Sequence, residues 1–133
     1  MKGDTMAIVP EARAITFIST TDRARAEAFY GDVLELPELS LDEYATIYDM
    51  GGGAILRLTS NREWESHEYT VLGWSIPDIE TTMAQLRAKG VEFLVFDEEN
   101  QDVGGLWTSV DGAMKAAWFR DPDGNLLSLT QTG

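Results

Sequence analysis

Residues 71–90 read VLGWSIPDIETTMAQLRAKG, and a change of period inside them decides the fold. Val71 to Ile76 is strand-like, short and β-prone. Asp78 then stands where a helix N-cap belongs, with a carboxylate able to accept from the first free backbone N–H groups. Ile79, Met83 and Leu86 follow at i, i+4 and i+7, one face of a helix. Gly90 supplies the left-handed conformation that stops it. A strand therefore runs straight into a helix.

The same order stands upstream. Ala14 to Ser19 (AITFIS) is a short apolar strand, and Thr21 and Asp22 open a helix to about Leu34. Its apolar positions Ala26, Phe29, Tyr30 and Val33 again share one face. Glu38 to Met50, with Leu39, Leu41, Tyr44, Ile47 and Tyr48, predicts two short strands, and Gly51-Gly52-Gly53 a turn. Ala54 to Thr59 (AILRLT) predicts another strand, with Ile55, Arg57 and Thr59 on one face and Leu56 and Leu58 on the other. Downstream, Val91 to Phe96, Lys115 to Arg120 and Leu126 to Thr130 read as strands. The last two are joined by the turn Asp121-Pro122-Asp123-Gly124. The polar, Gly-rich stretch from Asp97 to Gly112 reads as a long loop or ragged hairpin beside a binding surface.

Strand–helix–three strands thus appears twice, with the caps Asp22 and Asp78 56 residues apart. This predicts an α+β fold of two βαβββ modules in one domain spanning 1–133. Module one covers about 13–60, the linker 61–68 and module two about 69–131. Either half alone is too small for a good core, so the two sheets are expected to curl around shared space and enclose a groove. A sheet-lined groove suits a small ligand.

Composition narrows the chemistry. The 133 residues include no cysteine and one histidine, His67, with 10 Lys+Arg against 23 Asp+Glu and a formal net charge of −13. Disulfide scaffolds, Cys-based zinc sites and thiol catalysis are excluded. The acidity argues against nucleic acid and anionic membranes as partners and favours cationic ligands. No run reaches the roughly 18 apolar residues of a membrane span. The start, MKGDTMAIVPEARA, lacks a signal-peptide core and reads as a loose tail, with Met6 a candidate natural start, so a cytoplasmic location is expected.

Three stretches in register resemble the vicinal oxygen chelate superfamily, which contains glyoxalase I, extradiol dioxygenases, and fosfomycin and bleomycin resistance proteins. The first is Asp22 with Phe29-Tyr30, Val33-Leu34 and Leu36. The second is Val71 to Gly90, ending Leu86-Arg87-Ala88-Lys89-Gly90-Val91. The third is Phe119-Arg120-Asp121-Pro122-Asp123-Gly124-Asn125-Leu126. Together they cover about residues 13–131. The resemblance implies a homodimer. It also implies that metal-dependent members place four ligands, His or Gln and Glu in each module, on the first and last strands. The matching positions here are Ile15, Arg57, Val71 and Ser128. Ile and Val offer no lone pair, Arg57 adds a positive charge, and Ser128 alone cannot hold a divalent ion. No metal and no other cofactor is expected.

Arg57 lies mid-strand on the face that the resemblance turns into the groove. It either holds a carboxylate, phosphate or enolate oxygen bidentately, pairs with an internal acid, or projects to solvent. Trp107, in the long loop after Gly104-Gly105, is a stacking candidate, whereas Trp74 and Trp118 are expected to pack in the core. Tyr44 and Tyr48 share strand parity and either place a hydroxyl in the groove or pack at the core edge. Arg13, Ser19, Ser75 and Lys115 are weaker polar candidates. His67, among Glu63, Glu65 and Glu68, is read as an exposed loop histidine rather than a ligand or base. No Ser-His-Asp arrangement, phosphate loop or dinucleotide fingerprint is present, and no catalytic residue can be named. The leading expectation is a metal-independent small-molecule-binding protein, with Arg57, Trp107, Ser128, Tyr48, Ile15 and Val71 at the ligand. The alternative is a glyoxalase- or dioxygenase-like enzyme with a displaced metal site or metal-free acid–base catalysis.

Overall fold

The computed structural model describes residues 7–132, so the reading of Met6 as a start lies outside it. Module one consists of β1 (Ile15–Thr20), α1 (Arg23–Glu27), which runs on as a π-helical segment (Ala28–Val33), then β2 (Glu38–Leu41), β3 (Ala45–Gly51) and β4 (Ala54–Ser60). Module two repeats the order with β5 (Thr70–Ser75), α2 (Ile79–Ala88), β6 (Trp107–Thr108), β7 (Met114–Arg120) and β8 (Leu126–Thr132). Both expected caps form. The Asp22 and Asp78 carboxylates accept from Arg25 N and Thr81 N at 3.1 and 3.2 Å. Gly90 closes α2 at φ 95°. Among the described residues no helix is long and apolar enough to cross a membrane.

The modules share one topology. Each makes a four-stranded mixed sheet, ordered β1-β4-β3-β2 and β5-β8-β7-β6, in which the first and last strands run parallel and the others antiparallel. Neither sheet closes. Pairing the first strand with the last requires a crossover, and the helix supplies it.

Period two then divides each sheet into a covered and an open face. In module one Ile18, Thr20, Thr46, Tyr48, Leu56 and Leu58 are buried against the helix, and Ala26 and Tyr30 pack from the helix side. In module two Leu72, Ala117, Phe119, Leu127 and Leu129 are buried with Ile79, Met83 and Leu86 of α2. These sets form a single core. The Phe29 ring lies 6.4 Å from that of Phe119, while Leu34 and Leu36 flank a hollow with Trp74, Phe119 and Leu129. Leu34 at the end of the π-helical segment and Leu86 of α2 thus both line space that the two modules share.

One expected strand is absent. Val91 to Phe96 carries no ladder; Leu94 N donates to Trp118 O at 2.8 Å, and Val91 N donates back to Leu86 O of α2 at 3.0 Å. The buried Gln101 side chain does a strand's work there. Its Oε1 accepts from the N–H groups of Phe96 and Asp97, and its Nε2 donates to the carbonyls of Leu94 and Gly105. The stretch 97–112 is mostly loop, with one antiparallel bridge between Gln101 and Trp107, and its β6 pairs outward with β7.

Candidate functional site

The residues singled out by sequence fall mainly on the two open faces. On module one, strand register sets three rows across β1, β4 and β3. They are Ile15–Ile55–Asp49, Phe17–Arg57–Ile47 and Ser19–Thr59–Ala45. Arg57 therefore stands at the centre of the face, between Phe17 and Ile47. It is partly buried, and it makes no ion pair and no side-chain hydrogen bond among the described residues. The Ala45 and Tyr44 backbone N–H groups hold Asp42 below the usual carboxylate range, and Arg57 adds only a weaker attraction from a distance. The surrounding surface is apolar and exposed, with Ile15 at 47% and Phe17 at 68%.

Module two presents a different face. Gly73, Ser128 and Trp118 form one row, and Ser75, Thr130, Ala116 and Trp107 the next. A Cβ on Gly73 would lie 2.4 Å from Ser128 Oγ, so the absence of a side chain there is what gives the hydroxyl room. Trp118 is thus on the open face, not in the core as expected, with Phe96 edge-on at 5.8 Å. Trp107 lies two residues along the same side.

Ile15, Arg57, Ser128 and Trp107 therefore occupy open faces, the first two on module one and the last two on module two. Two candidates do not. Tyr48 is 1% exposed and points to the helix side, where its ring lies 6.4 Å from that of Tyr30. Val71 falls in a register irregularity between Thr70 and Leu72 and packs against the core. Of the weaker candidates, Lys115 pairs with Glu80 at 3.6 Å and Arg13 donates to Gly53 O at 2.8 Å. His67 is exposed, as expected, and stacks on Tyr69 at 5.0 Å. Phe17 and Gly73, the strand neighbours of Arg57 and Ser128, escaped the sequence reading. Their parity with Ile15 and Val71 was the available signal.

The four positions implied for a metal can be weighed by the donors they hold. The four positions hold a guanidinium, a hydroxyl and two hydrocarbon side chains. Around the guanidinium stand Phe17 and Ile47, and beside the hydroxyl stand Gly73 and Trp118. A divalent cation needs several anionic or neutral oxygen and nitrogen donors, so this set does not fit one.

Comparison with known proteins agrees with this architecture. Among solved structures, a glyoxalase/bleomycin resistance protein/dioxygenase from Alicyclobacillus acidocaldarius is 18% identical with a TM-score of 0.72, over 92% of each chain. An antibiotic binding protein, TnmS3 from Streptomyces sp. CB03234, is 19% identical with a TM-score of 0.69, over 96% of this chain and 99% of that one. The fosfomycin resistance protein FosX from Listeria monocytogenes is 14% identical with a TM-score of 0.69, over 92% of each chain. At such identities these likenesses concern the fold. No curated protein matches the chain. The family model for Glyoxalase/Bleomycin resistance protein/Dioxygenase superfamily matches residues 14–129, both βαβββ modules from β1 into β8. With repeated topology, helix caps and turn all in register, the chain belongs to the Glyoxalase/Bleomycin resistance protein/Dioxygenase superfamily.

Proposed function

We propose that this protein binds a small organic anion without a metal ion, with Arg57 as the anchor. The observation that carries the reading is the unpaired guanidinium at the centre of an apolar sheet face. Withdrawing such a charge from water is costly unless an anion meets it, and a ligand carboxylate or phosphate does so with two parallel hydrogen bonds. The same fold in an antibiotic binding protein gives a precedent for small-molecule binding by this architecture.

We further infer that a second copy of the chain completes the groove. Ile15 and Phe17, beside Arg57, leave apolar surface exposed on the open face of module one. Where module one carries Phe17 and Arg57, module two carries Gly73 and Ser128, so a bulky row on one protomer faces a hollow row on its partner. Trp107 and Trp118 would then stack on a planar anion held by Arg57.

A thermal-shift titration with carboxylates, phosphates and amines tests the reading, together with elemental analysis and light scattering. Anions should raise the melting temperature saturably in metal-free dimeric protein. Arg57→Ala should weaken their binding roughly 10- to 100-fold, the worth of a charge-assisted hydrogen bond. Arg57→Lys should recover part of it. Anion binding that survives Arg57→Ala, or that needs stoichiometric metal, overturns the proposal.

A further inference from the structure

The covered side of the first sheet holds a second arrangement, unconnected with Arg57. A hollow of about 540 Å³ opens between the π-helical segment, β2 and β3. We propose that this hollow is a binding site for a small aliphatic amine in its protonated form, seated on the Tyr48 hydroxyl and the carboxylates of Asp32 and Glu38.

Tyr48 is the first support. Its side chain is 1% exposed and lines the hollow, yet its hydroxyl has no hydrogen-bond partner among the described residues. No side-chain polar atom sealed from solvent lacks a partner among the described residues, so this hydroxyl reaches the hollow itself, unlike that of Tyr30, which donates to Asp121 at 2.7 Å. The π-helical segment passes directly above with Gly31, whose Cβ, if it had one, would lie 3.7 Å from the hydroxyl. The backbone thus leaves the hydroxyl uncovered and open to a ligand. Burial, with Glu27, Glu38 and Asp32 nearby, pushes its pKa up to about 12, against a weaker opposing pull from Arg23. It therefore stays neutral, with an oxygen free to accept from an ammonium.

Charge is the second support. Glu27, Asp32 and Glu38 line the hollow from α1, the π-helical segment and β2. Glu27 is occupied, accepting from Thr46 and lying 3.6 Å from Arg23. Asp32 and Glu38 have no ion pair among the described residues. Lys89 approaches Asp32 only at its backbone oxygen and pairs with Glu35. The carboxylates are too dispersed for a metal ion, and among the described residues no group of three His, Cys, Asp or Glu is placed to hold one. An organic ammonium, with several N–H donors and a hydrocarbon stem, fits better. Ala28, Leu36 and Leu41 supply apolar wall for its methylene groups.

Isothermal titration of the whole chain with 1,4-diaminobutane, butylamine and 1,4-butanediol at fixed ionic strength tests this. Saturable binding of one amine per chain is expected, with no binding of the diol. Tyr48→Phe keeps the ring and should weaken amine binding about three- to tenfold, the worth of one hydrogen bond. The double variant Asp32→Asn/Glu38→Gln should weaken it at least tenfold. Melting of each unliganded variant reports whether the fold is kept. Arg57→Ala should leave the amine response intact, which separates the fate of this site from that of the anion site. Equal binding of amine and diol, or an amine response unchanged in both variants, overturns the proposal.

Discussion

The third and fourth strands of each module are joined by a turn, and the two turns are built in opposite ways. Gly51-Gly52-Gly53 of module one is exposed, with positive φ at each residue and nothing within 4 Å of where their side chains would begin. It is held locally, by the Asp49 carboxylate accepting from Gly51 N and by Arg13 on Gly53 O. The turn Asp121 to Asn125 of module two is sunk into the junction between modules. The Asp121 carboxylate accepts from Tyr30 Oη, Asn125 Nδ2 and the backbone N–H groups of Asp123 and Asn125, at 2.7–2.9 Å. Asp123 accepts from Thr20, Thr21 and Arg25, and Asn125 accepts from Trp64 and donates to Ser19 O. One topology thus yields a free turn and a clasp. The open faces repeat the lesson, with Phe17 and Arg57 on one module and Gly73 and Ser128 on the other.

If the second turn is the clasp, breaking it should cost most. Asp121→Ala leaves the buried Tyr30 and Asn125 groups and two backbone donors without their acceptor. The expected loss is about 3–5 kcal/mol in denaturant unfolding, the range for breaking a buried charged network. Tyr30→Phe removes one of four donors and should cost about 1–2 kcal/mol. Equal effects would mean that only the contact between modules matters and not the turn's own bonds. On the open face, Gly73→Ala drives a Cβ against Ser128 Oγ at 2.4 Å and Ser128 O at 3.2 Å. Overpacking of this kind costs typically 1–3 kcal/mol. Ser128→Gly in the same chain should restore part of it, and the absence of any recovery would place the strain in the backbone instead.

The repeat was legible because it is written in periodicity and caps. Asp22 and Asp78 cap their helices, and the alternation of β4 assigned Arg57 and Leu56 to opposite faces correctly. What escaped depends on register. Tyr48 and Tyr44 share parity, but Tyr44 precedes β3, and Ala45 and Thr46 at its start are both buried, so alternation fails there. A bulge turns Val71 inward, and the π-helical segment leaves no periodic trace in six residues. Val91 to Phe96 has a strand's composition, yet Gln101, a residue no strand pattern includes, satisfies its backbone. Phe17 and Gly73 become neighbours of Arg57 and Ser128 only through pairing between strands at opposite ends of each module. Local sequence does not encode that distance.

Asp123 gives the clasp a pH signature. Burial raises its pKa, but hydrogen bonds from Thr20 and Thr21, and then Arg25, outweigh it and leave the group below its ordinary 3.8. A carboxylate depressed on folding contributes stability above its unfolded pKa and loses it as pH falls through the folded value. Asp123→Asn should therefore cost about 1–2 kcal/mol at pH 7, with the gap from the parent steady down to about pH 5 and closing below 3.8. Asp121 acts in the opposite sense, since burial raises its pKa and its ionised form weighs against folding at neutral pH. A gap that stays constant to pH 3 would remove Asp123's charge from the clasp.

The smallest effect belongs to the other turn. Gly52 has φ 61°, the left-handed region where asparagine is tolerated, and its missing side chain would point into open space. Gly52→Asn should thus change stability by less than about 0.5 kcal/mol, because the strain of φ is small for Asn and the loss of unfolded-chain entropy offsets it. Gly124, at φ 87°, offers no such freedom, because a Cβ there would meet Ser66 Oγ at 2.8 Å. Gly124→Asn should cost several times more than Gly52→Asn in the same unfolding experiment. Equal tolerance at the two positions would show that the junction yields as freely as the free turn, and the division between clasp and turn would fall.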